Sequence, residues 1–287
     1  MLLADDWKDY ELIDTGGGEK LERWGEYLLR RPDPQVIWPI DDKSGIWKKA
    51  HAQYHRSSSG GGRWEYVKKI PERWIITHED LSFYVQLTGF KHTGLFPEQA
   101  VNWNWIIEKI KSAGGPLKVL NLFAYTGSST AAAAFAGAEV CHVDAAKGMV
   151  ARAKENIKLS GLQESAVRFI TDDVIKFVER EGRRGKKYDA VIMDPPSYGR
   201  GPKGETWKLE DELYGLVELC LDILSERPRF FLVNSYTTGL SPTVIKNILS
   251  LVMVNRFGGS VFSDEIGLPI KSTGLVLPCG SARRWEM

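Results

Sequence analysis

Short apolar runs alternate with helical segments along the chain after residue 116. Five runs with the character of buried strands occupy residues 117–123, 139–143, 167–171, 188–193 and 229–234, and the tail, 259–284, has the pattern of two more strands. Helical segments lie between the runs; one of them, 128–135, is rich in alanine and stops before Gly137. Repeated strand–helix–strand units predict an α/β fold with a doubly wound, mostly parallel sheet of seven strands.

Residues 1–90 have a different texture. Six of the ten tryptophans lie there, and two glycine triplets, 16–18 and 60–62, indicate turns. The alternating runs 74–77 and 81–85 are typical of strands. We predict a small β-rich domain over residues 1–90, a candidate substrate-binding domain, and a catalytic domain over residues 91–287.

Composition excludes several classes of protein. The 287 residues carry 38 basic and 37 acidic side chains, so the net charge of +1 argues against binding of polyanions over the whole surface but allows one basic face. No run of about 18 uncharged apolar residues occurs, which argues against a membrane span. The cysteines, Cys141, Cys220 and Cys279, are far apart and lack metal-ligand spacing. With no secretory signal pattern near Met1, we predict a cytoplasmic protein without a metal; its oligomeric state stays open.

The turn after the first of the five strands has features of a ligand site. Residues 121–127 (Asn-Leu-Phe-Ala-Tyr-Thr-Gly) join that strand to a helix. Ligands of doubly wound sheets bind beyond the carboxyl ends of the strands, and N–H groups at a helix start favour a carboxylate. Asp144 ends the second strand 20 positions after Ala124 (144 − 124 = 20), where an acid can bind ribose hydroxyls. The alternative is an ordinary turn, with Asp144 capping a helix.

The residues of this turn distinguish between cofactors. A nicotinamide cofactor needs glycines so that the backbone can approach a pyrophosphate. Here Gly127 is the single glycine, and Phe123 and Tyr125 are bulky. A cofactor without phosphate fits better, and S-adenosylmethionine has a ribose, an adenine and an amino-acid end.

A second motif follows the fourth strand. Two prolines there lack N–H groups and restrict the residues before them, so they form a stiff shelf rather than more strand or helix. Asp194 on this shelf can accept a hydrogen bond from a nucleophile or from the cofactor ammonium, and Tyr198 can lie against a flat base. The alternative is a plain turn with a surface tyrosine. The candidate catalytic residues are Asp194, Pro195, Pro196, Ser197 and Tyr198.

Segment 121–127 and the Asp-Pro-Pro-Ser sequence at 194–197 together resemble the class I S-adenosylmethionine-dependent methyltransferases. Within that class they look like the subgroup of large-subunit ribosomal RNA methyltransferases, some of which methylate cytosine C5. Segment 93–99 (Thr-Gly-Leu-Phe-Pro-Glu-Gln) resembles the Thr-Gly-aromatic segment of that subgroup. The resemblance covers residues 85 to 280, roughly. It implies a Rossmann-like methyltransferase fold, S-adenosylmethionine as methyl donor and S-adenosylhomocysteine as product.

The resemblance also implies residue roles. The turn would hold the methionine end of the cofactor, Asp144 the ribose, and Asp172 or Asp173 the adenine amino group, while Phe96 and Gln99 would close over the cofactor. The candidate cofactor-binding residues are Phe96, Gln99, Asn121, Phe123, Ala124, Tyr125, Thr126, Gly127, Asp144, Ala145, Asp172, Asp173 and Asp194.

Two departures from the subgroup matter. Its C5 cytosine enzymes carry a cysteine nucleophile after the fifth strand, where this chain has Asn234-Ser235-Tyr236. Because C5 needs a thiolate to activate it, we predict methylation of a nitrogen instead. The N-terminal segment also does not look like the small RNA-binding domain common in that subgroup.

An RNA substrate is suggested by one basic stretch. Between residues 43 and 70 there is one acid, Glu65, and seven cations are interleaved with aromatic residues, a pattern that suits phosphates and stacked bases. These residues are Lys43, Lys48, Lys49, Arg56, Arg63, Lys68 and Lys69, with Trp47, Tyr54, Trp64 and Tyr66. The alternative is a solvated loop over an aromatic core. We also predict that loop 199–205 is a substrate lid, with an ordinary flexible loop as the alternative.

Three functions therefore remain open on the sequence. The first is methylation of RNA, with ribosomal RNA favoured. The second is methylation of a small molecule or protein, and the third is RNA binding with a vestigial cofactor site.

Overall fold

The computed structural model describes residues 1–57, 61–200, 206–236 and 240–287. The chain forms two compact units. The first comprises residues 1–101 and 266–279, and the second comprises residues 102–265 and 280–287. The predicted boundary at residue 90 lies earlier than this division, and the return of 266–279 to the first unit has no signal in the sequence.

The first unit is rich in β-structure, as predicted. Its strands are β1 (Leu2–Leu3), β2 (Tyr10–Gly16), β3 (Glu19–Trp24), β4 (Tyr27–Pro32), β5 (Ala52–Arg56), β6 (Gly62–Tyr66), β7 (Arg73–His78) and β8 (Leu81–Gln86), with 3₁₀ turns at Ile46–Lys49 and Pro97–Gln99. Strands β2 to β6 form one sheet in chain order, and β7 pairs with β8. The turn between β2 and β3 contains Gly17 and Gly18 at φ 58° and 79°, a backbone conformation that glycine adopts without steric cost.

The second unit alternates strands and helices. Its elements are α1 (Ala100–Ser112), β9 (Lys118–Leu122), α2 (Ser128–Phe135), β10 (Glu139–Asp144), α3 (Lys147–Leu159), β11 (Val167–Thr171), α4 (Val174–Arg183), β12 (Ala190–Met193), β13 (Tyr198–Arg200), β14 (Thr206–Lys208), α5 (Leu209–Cys220), β15 (Phe230–Ser235), α6 (Pro242–Leu249), α7 (Asn255–Phe257), β16 (Ser260–Pro269) and β17 (Val276–Glu286). A 3₁₀ turn, Leu221–Ile223, follows α5, and a π turn, Ser250–Val254, joins α6 to α7. Helix α1 and strands β16 and β17 cross the division between the units.

The large sheet has the order β1-β16-β17-β15-β12-β9-β10-β11. Strands β15, β12, β9, β10 and β11 are parallel, and β17 runs antiparallel to β15. The doubly wound, mostly parallel sheet is therefore confirmed, with eight strands among the described residues instead of seven. The additional strand is β1, whose two residues pair with Ile266 and Gly267; a pair of leucines is too short to show a strand pattern.

The central strands explain why the sequence pattern was readable. Strands β12 and β15 are buried at every residue, and β9 at all but Lys118. Parallel strands covered on both faces need apolar residues at successive positions. One core unites Leu120, Val191 and Phe231 with buried residues of α4, α5 and α6. Helix α2 has the predicted bounds and is followed by Gly137 at φ 93°.

Candidate active site

Four neighbouring strands bring the predicted site residues of the second unit to one edge of the sheet. The strand order β12-β9-β10-β11 aligns Met193 with Leu122 and Leu122 with Val143. The carboxyl ends of these strands lead, in the same order, into Asp194, the turn 123–127, the side chain of Asp144, and Asp172. The turn therefore lies between two aspartates, where ligands of such sheets bind.

The turn has an uncommon backbone. Phe123 and Tyr125 have φ values of 53° and 49°, in the left-handed region that costs a residue with a side chain about 1–2 kcal/mol. Ala124 donates its N–H to Val143 O at 3.0 Å, and Gly127 donates to Ala124 O at 3.0 Å. Such strain persists where surrounding contacts enforce it, and it concentrates at ligand sites.

Buried polar residues support this turn. Asn156 of α3 donates its side-chain N–H to Thr126 O at 2.9 Å. Asn121 donates to Thr130 Oγ1 at 2.9 Å, and Thr130 Oγ1 lies 2.9 Å from Nδ1 of His142. Burial lowers the pKa of His142 to about 4, so its imidazole is neutral at pH 7.

Of the two asparagines in this network, the sequence analysis named Asn121 but not Asn156. The Asn121 side chain belongs to this buried network, and its predicted contact with the cofactor stays a prediction. Asn156 was missed, although it is a polar residue on the buried face of α3 that contains Val150, Ala153 and Ile157.

Asp144 connects the turn to the next helix. Its Oδ2 accepts the N–H of Tyr125 at 2.9 Å, and its Oδ1 accepts the N–H of Ala146 at 2.8 Å. Burial raises the pKa of Asp144, and these two backbone hydrogen bonds oppose that rise. A carboxylate oxygen accepts more than one hydrogen bond, so two ribose hydroxyls can be added to this pair. Ala145 is exposed beside it.

Asp172 and Asp173 follow β11. Asp172 donates its N–H to Asp144 O at 3.1 Å, and its carboxylate forms an ion pair with Arg180. Asp173 caps α4 by accepting the N–H of Lys176 at 3.0 Å. Both carboxylates have protein partners, and the contact of Asp172 or Asp173 with an adenine amino group stays a prediction.

Asp194 lies beside the turn on its other flank. Its N–H donates to Leu122 O at 3.4 Å, and its side chain is half-buried. Pro195 is buried, while Pro196 and Ser197 are exposed and Tyr198 is 51% exposed. Strand β12 ends at Met193, before the two prolines, and β13 begins at Tyr198, after Ser197.

The remaining predictions concern two residues of the first unit, a loop partly outside the described residues, and the metal and membrane classes. Phe96 and Gln99 belong to the first unit, where Phe96 precedes a 3₁₀ turn and its ring lies 5.4 Å from that of His92. Their closure over a cofactor stays a prediction. The proposed lid includes 201–205, which lie outside the described residues. Within the described ranges, no group of three or more His, Cys, Asp or Glu could hold a metal ion, and no helix has the length and apolarity to span a membrane.

The position of Gly127 is informative about the cofactor. A Cβ there would lie 2.8 Å from Cβ of Ala153, so this glycine permits α2 to pack against α3. The remaining residues of the turn carry side chains, and no run of glycines allows a pyrophosphate to approach the backbone. These residues, with Asp144 beside them, fit an adenosyl cofactor without phosphate.

We expect Gly127→Ala to lower the free energy of unfolding by about 2–5 kcal/mol, from left-handed backbone strain and overpacking together. Gly137→Ala is the matched control, because Gly137 has φ 93° and a Cβ added there would meet no described atom within 4 Å. The control should cost about 1–2 kcal/mol. Urea unfolding measures both, and equal losses would contradict the close approach of α2 and α3.

The comparisons with known proteins identify the class of this site. A profile of the S-adenosylmethionine-dependent methyltransferase family matches residues 48–222, more than half of the chain. The chain belongs to that family. A SAM-dependent methyltransferase of Agrobacterium tumefaciens of known structure is 38% identical, with a TM-score of 0.93 over 99% of this chain and 92% of that one. The predicted family, fold, enzyme class and S-adenosylmethionine cofactor are confirmed.

Two curated relatives have more specific names. Ribosomal RNA large subunit methyltransferase K of Neisseria meningitidis is 30% identical over 191 residues, which are 64% of this chain and 53% of that protein. Ribosomal RNA large subunit methyltransferase K/L of Shewanella frigidimarina is 34% identical over 161 residues, 53% of this chain and 22% of that protein. The chain thus spans about half of the first relative's length and about a fifth of the second's.

Proposed function

We propose that the protein transfers a methyl group from S-adenosylmethionine to a nitrogen atom of an RNA base, in ribosomal RNA. The observation that carries the substrate class is the similarity to two relatives named as ribosomal RNA large subunit methyltransferases. Work on such a substrate would place the enzyme in the cytoplasm.

A basic surface in the first unit supports RNA as the substrate. Lys48, Lys49, Lys68 and Lys69 are exposed around β5 and β6, and Tyr66 is 57% exposed beside them. Cations for phosphates and an accessible ring for a base are the groups that bind single-stranded RNA. We therefore propose that the first unit contacts the substrate.

Some aromatic residues of the basic stretch 43–70 belong to an aromatic core, as in the alternative interpretation of that stretch. Trp47 packs with Leu21 and Ala50 in the core, and Tyr54 is buried against Trp64 with ring centroids 5.4 Å apart. These rings stabilise the unit, which leaves Tyr66, the lysines, Arg56 and Arg63 as the accessible part of the pattern.

A nitrogen acceptor is supported by the state of the thiols. Cys141 and Cys220 are buried, and burial raises the pKa of both, as it does for Cys279. Near the end of β15, at the place where a C5 enzyme of the subgroup has its cysteine, Asn234 is buried and accepts an N–H from Asn102 at 2.9 Å. The chain thus offers no reactive thiolate at this edge for covalent activation of C5.

Methyl transfer to a nitrogen then requires the protein mainly to position the cofactor and the acceptor. S-adenosylmethionine supplies an electrophilic methyl group on its sulfonium. The turn 123–127 and Asp144 orient the cofactor, and the shelf places Asp194 where its carboxylate accepts a hydrogen bond from the attacking amine and then its proton. Alignment of reacting atoms is among the largest sources of rate enhancement available to enzymes.

The test is transfer of labelled methyl groups from S-adenosylmethionine to an unmodified transcript of large-subunit ribosomal RNA, with cell protein and metabolites as parallel acceptors. We expect label in the RNA, and digestion to nucleosides followed by mass spectrometry should find an N-methylated base. Label confined to protein or metabolites would contradict the RNA substrate, and a C5-methylated base would contradict the nitrogen acceptor.

A further inference from the structure

The shelf after β12, residues 194–197, has few backbone groups that can form hydrogen bonds with the rest of the protein. Pro195 and Pro196 have no N–H, so the carbonyl oxygens are the main backbone groups available. The carbonyl oxygens of Pro196 and Ser197 both accept hydrogen bonds from residues 207–209. Trp207 donates its Nε1–H to Pro196 O at 2.6 Å, and Leu209 donates its N–H to Ser197 O at 3.1 Å.

The same tryptophan also contacts the cofactor turn. The centroid of the Trp207 ring lies 4.9 Å from that of Phe123, with the two rings tilted by 55°. Phe123 is one of the two left-handed residues of the turn. Trp207 is therefore a side chain that touches both the turn expected to hold the cofactor and the shelf that carries Asp194.

Local structure fixes the position of Trp207. It lies on β14 opposite Gly199 of β13, where a Cβ would be 3.7 Å from both Pro196 Cγ and Trp207 Cβ. Leu209, two residues later, is fully buried at the start of α5. The neighbouring pair Tyr198 and Lys208 lies on the other face of this hairpin, because side chains alternate along a strand.

We propose that Trp207 is a positioning residue that holds the cofactor turn and the Asp194 shelf in fixed relation. Its two contacts have separate roles. The ring packs against Phe123 and so supports the conformation that receives the cofactor, and the indole N–H fixes the shelf and so fixes Asp194. The effect on turnover rests on the proposed function, whereas the effect on cofactor affinity does not.

Two substitutions separate these contacts. Trp207→Phe keeps a ring next to Phe123 but removes the hydrogen bond to Pro196 O. We expect kcat on the ribosomal RNA transcript to fall by about tenfold, the order of one hydrogen bond, while KM and the affinity for S-adenosylhomocysteine stay within about twofold. Trp207→Leu also removes the ring, so the affinity for S-adenosylhomocysteine in calorimetry should fall by about fivefold as well.

Trp105→Phe is the matched control. Trp105 is another partly buried tryptophan of the second unit, and its ring is in edge contact with that of Phe230. Phe230 begins β15 and so lies at the opposite edge of the sheet from the shelf. It should leave kcat and cofactor affinity unchanged, and thermal unfolding of all variants reports any general loss of structure.

Several outcomes would overturn the inference. One is a normal kcat in Trp207→Phe. Another is a loss of cofactor affinity as large in Trp207→Phe as in Trp207→Leu, and a third is equal losses in Trp105→Phe. If the unsubstituted protein methylates no RNA, the proposed function fails; the calorimetric difference between Trp207→Phe and Trp207→Leu then decides the inference, and equal affinities reject it.

Discussion

The Asp194→Asn variant is expected to lose about 10²- to 10⁴-fold in kcat, the range for removal of a group that accepts a proton in the transition state. Asparagine keeps the size of the side chain and the Asp194 N–H bond to Leu122 O, but its neutral amide is a far weaker base. Affinity for S-adenosylhomocysteine should fall only modestly, because the turn and Asp144 are intact. Single-turnover methyl transfer and calorimetry measure the two quantities separately.

Asp189→Asn is the control for this prediction. Asp189 precedes the same strand, and its carboxylate accepts the N–H of Lys118 at 2.9 Å, at the amino end of the sheet. Its replacement should leave kcat unchanged. Unchanged turnover in Asp194→Asn would remove Asp194 from the mechanism, and a collapse of cofactor affinity would make it a cofactor ligand instead.

The Asp144→Ala variant is expected to bind S-adenosylhomocysteine about 100-fold more weakly, the order of one or two hydrogen bonds to a charged group. The change removes the proposed acceptor of the ribose hydroxyls, and it also frees the N–H groups of Tyr125 and Ala146 that shape the turn. Isothermal titration calorimetry gives the affinity directly.

Glu139→Ala is the matched control, because Glu139 is the exposed first residue of β10, the strand that Asp144 ends. It removes a carboxylate from the same strand at the opposite edge of the sheet. We expect its affinity to equal that of the unsubstituted protein. Binding that survives intact in Asp144→Ala would show that the ribose assignment is wrong.

The parts of the fold that the sequence predicted are those fixed by burial. Strands β12 and β15 are covered on both faces, so their apolar runs are local signals. Asp144 and Asp194 were predicted as site residues because each is a polar residue directly after such a run, and adjacent parallel strands bring their carboxyl ends together. The order of strands in the sheet then follows from the family's fold.

The parts that were not predicted depend on contacts between distant residues. Trp207 lies in a segment without periodicity, and its partners, Phe123 and Pro196, are known only from the folded chain. The aromatic residues of the basic stretch show the same limit. Trp47 faces the core and Tyr66 faces solvent, although both alternate with lysines in the sequence.

The central claim is that S-adenosylmethionine binds at the edge formed by β12, β9 and β10. A crystal structure of the complex with S-adenosylhomocysteine tests this claim most directly. We expect the amino-acid end against the turn 123–127, the ribose hydroxyls on the carboxylate of Asp144, and the sulfur facing the shelf that carries Asp194. A ligand bound elsewhere, or an empty edge in crystals grown at a concentration that saturates the protein in solution, would contradict the account.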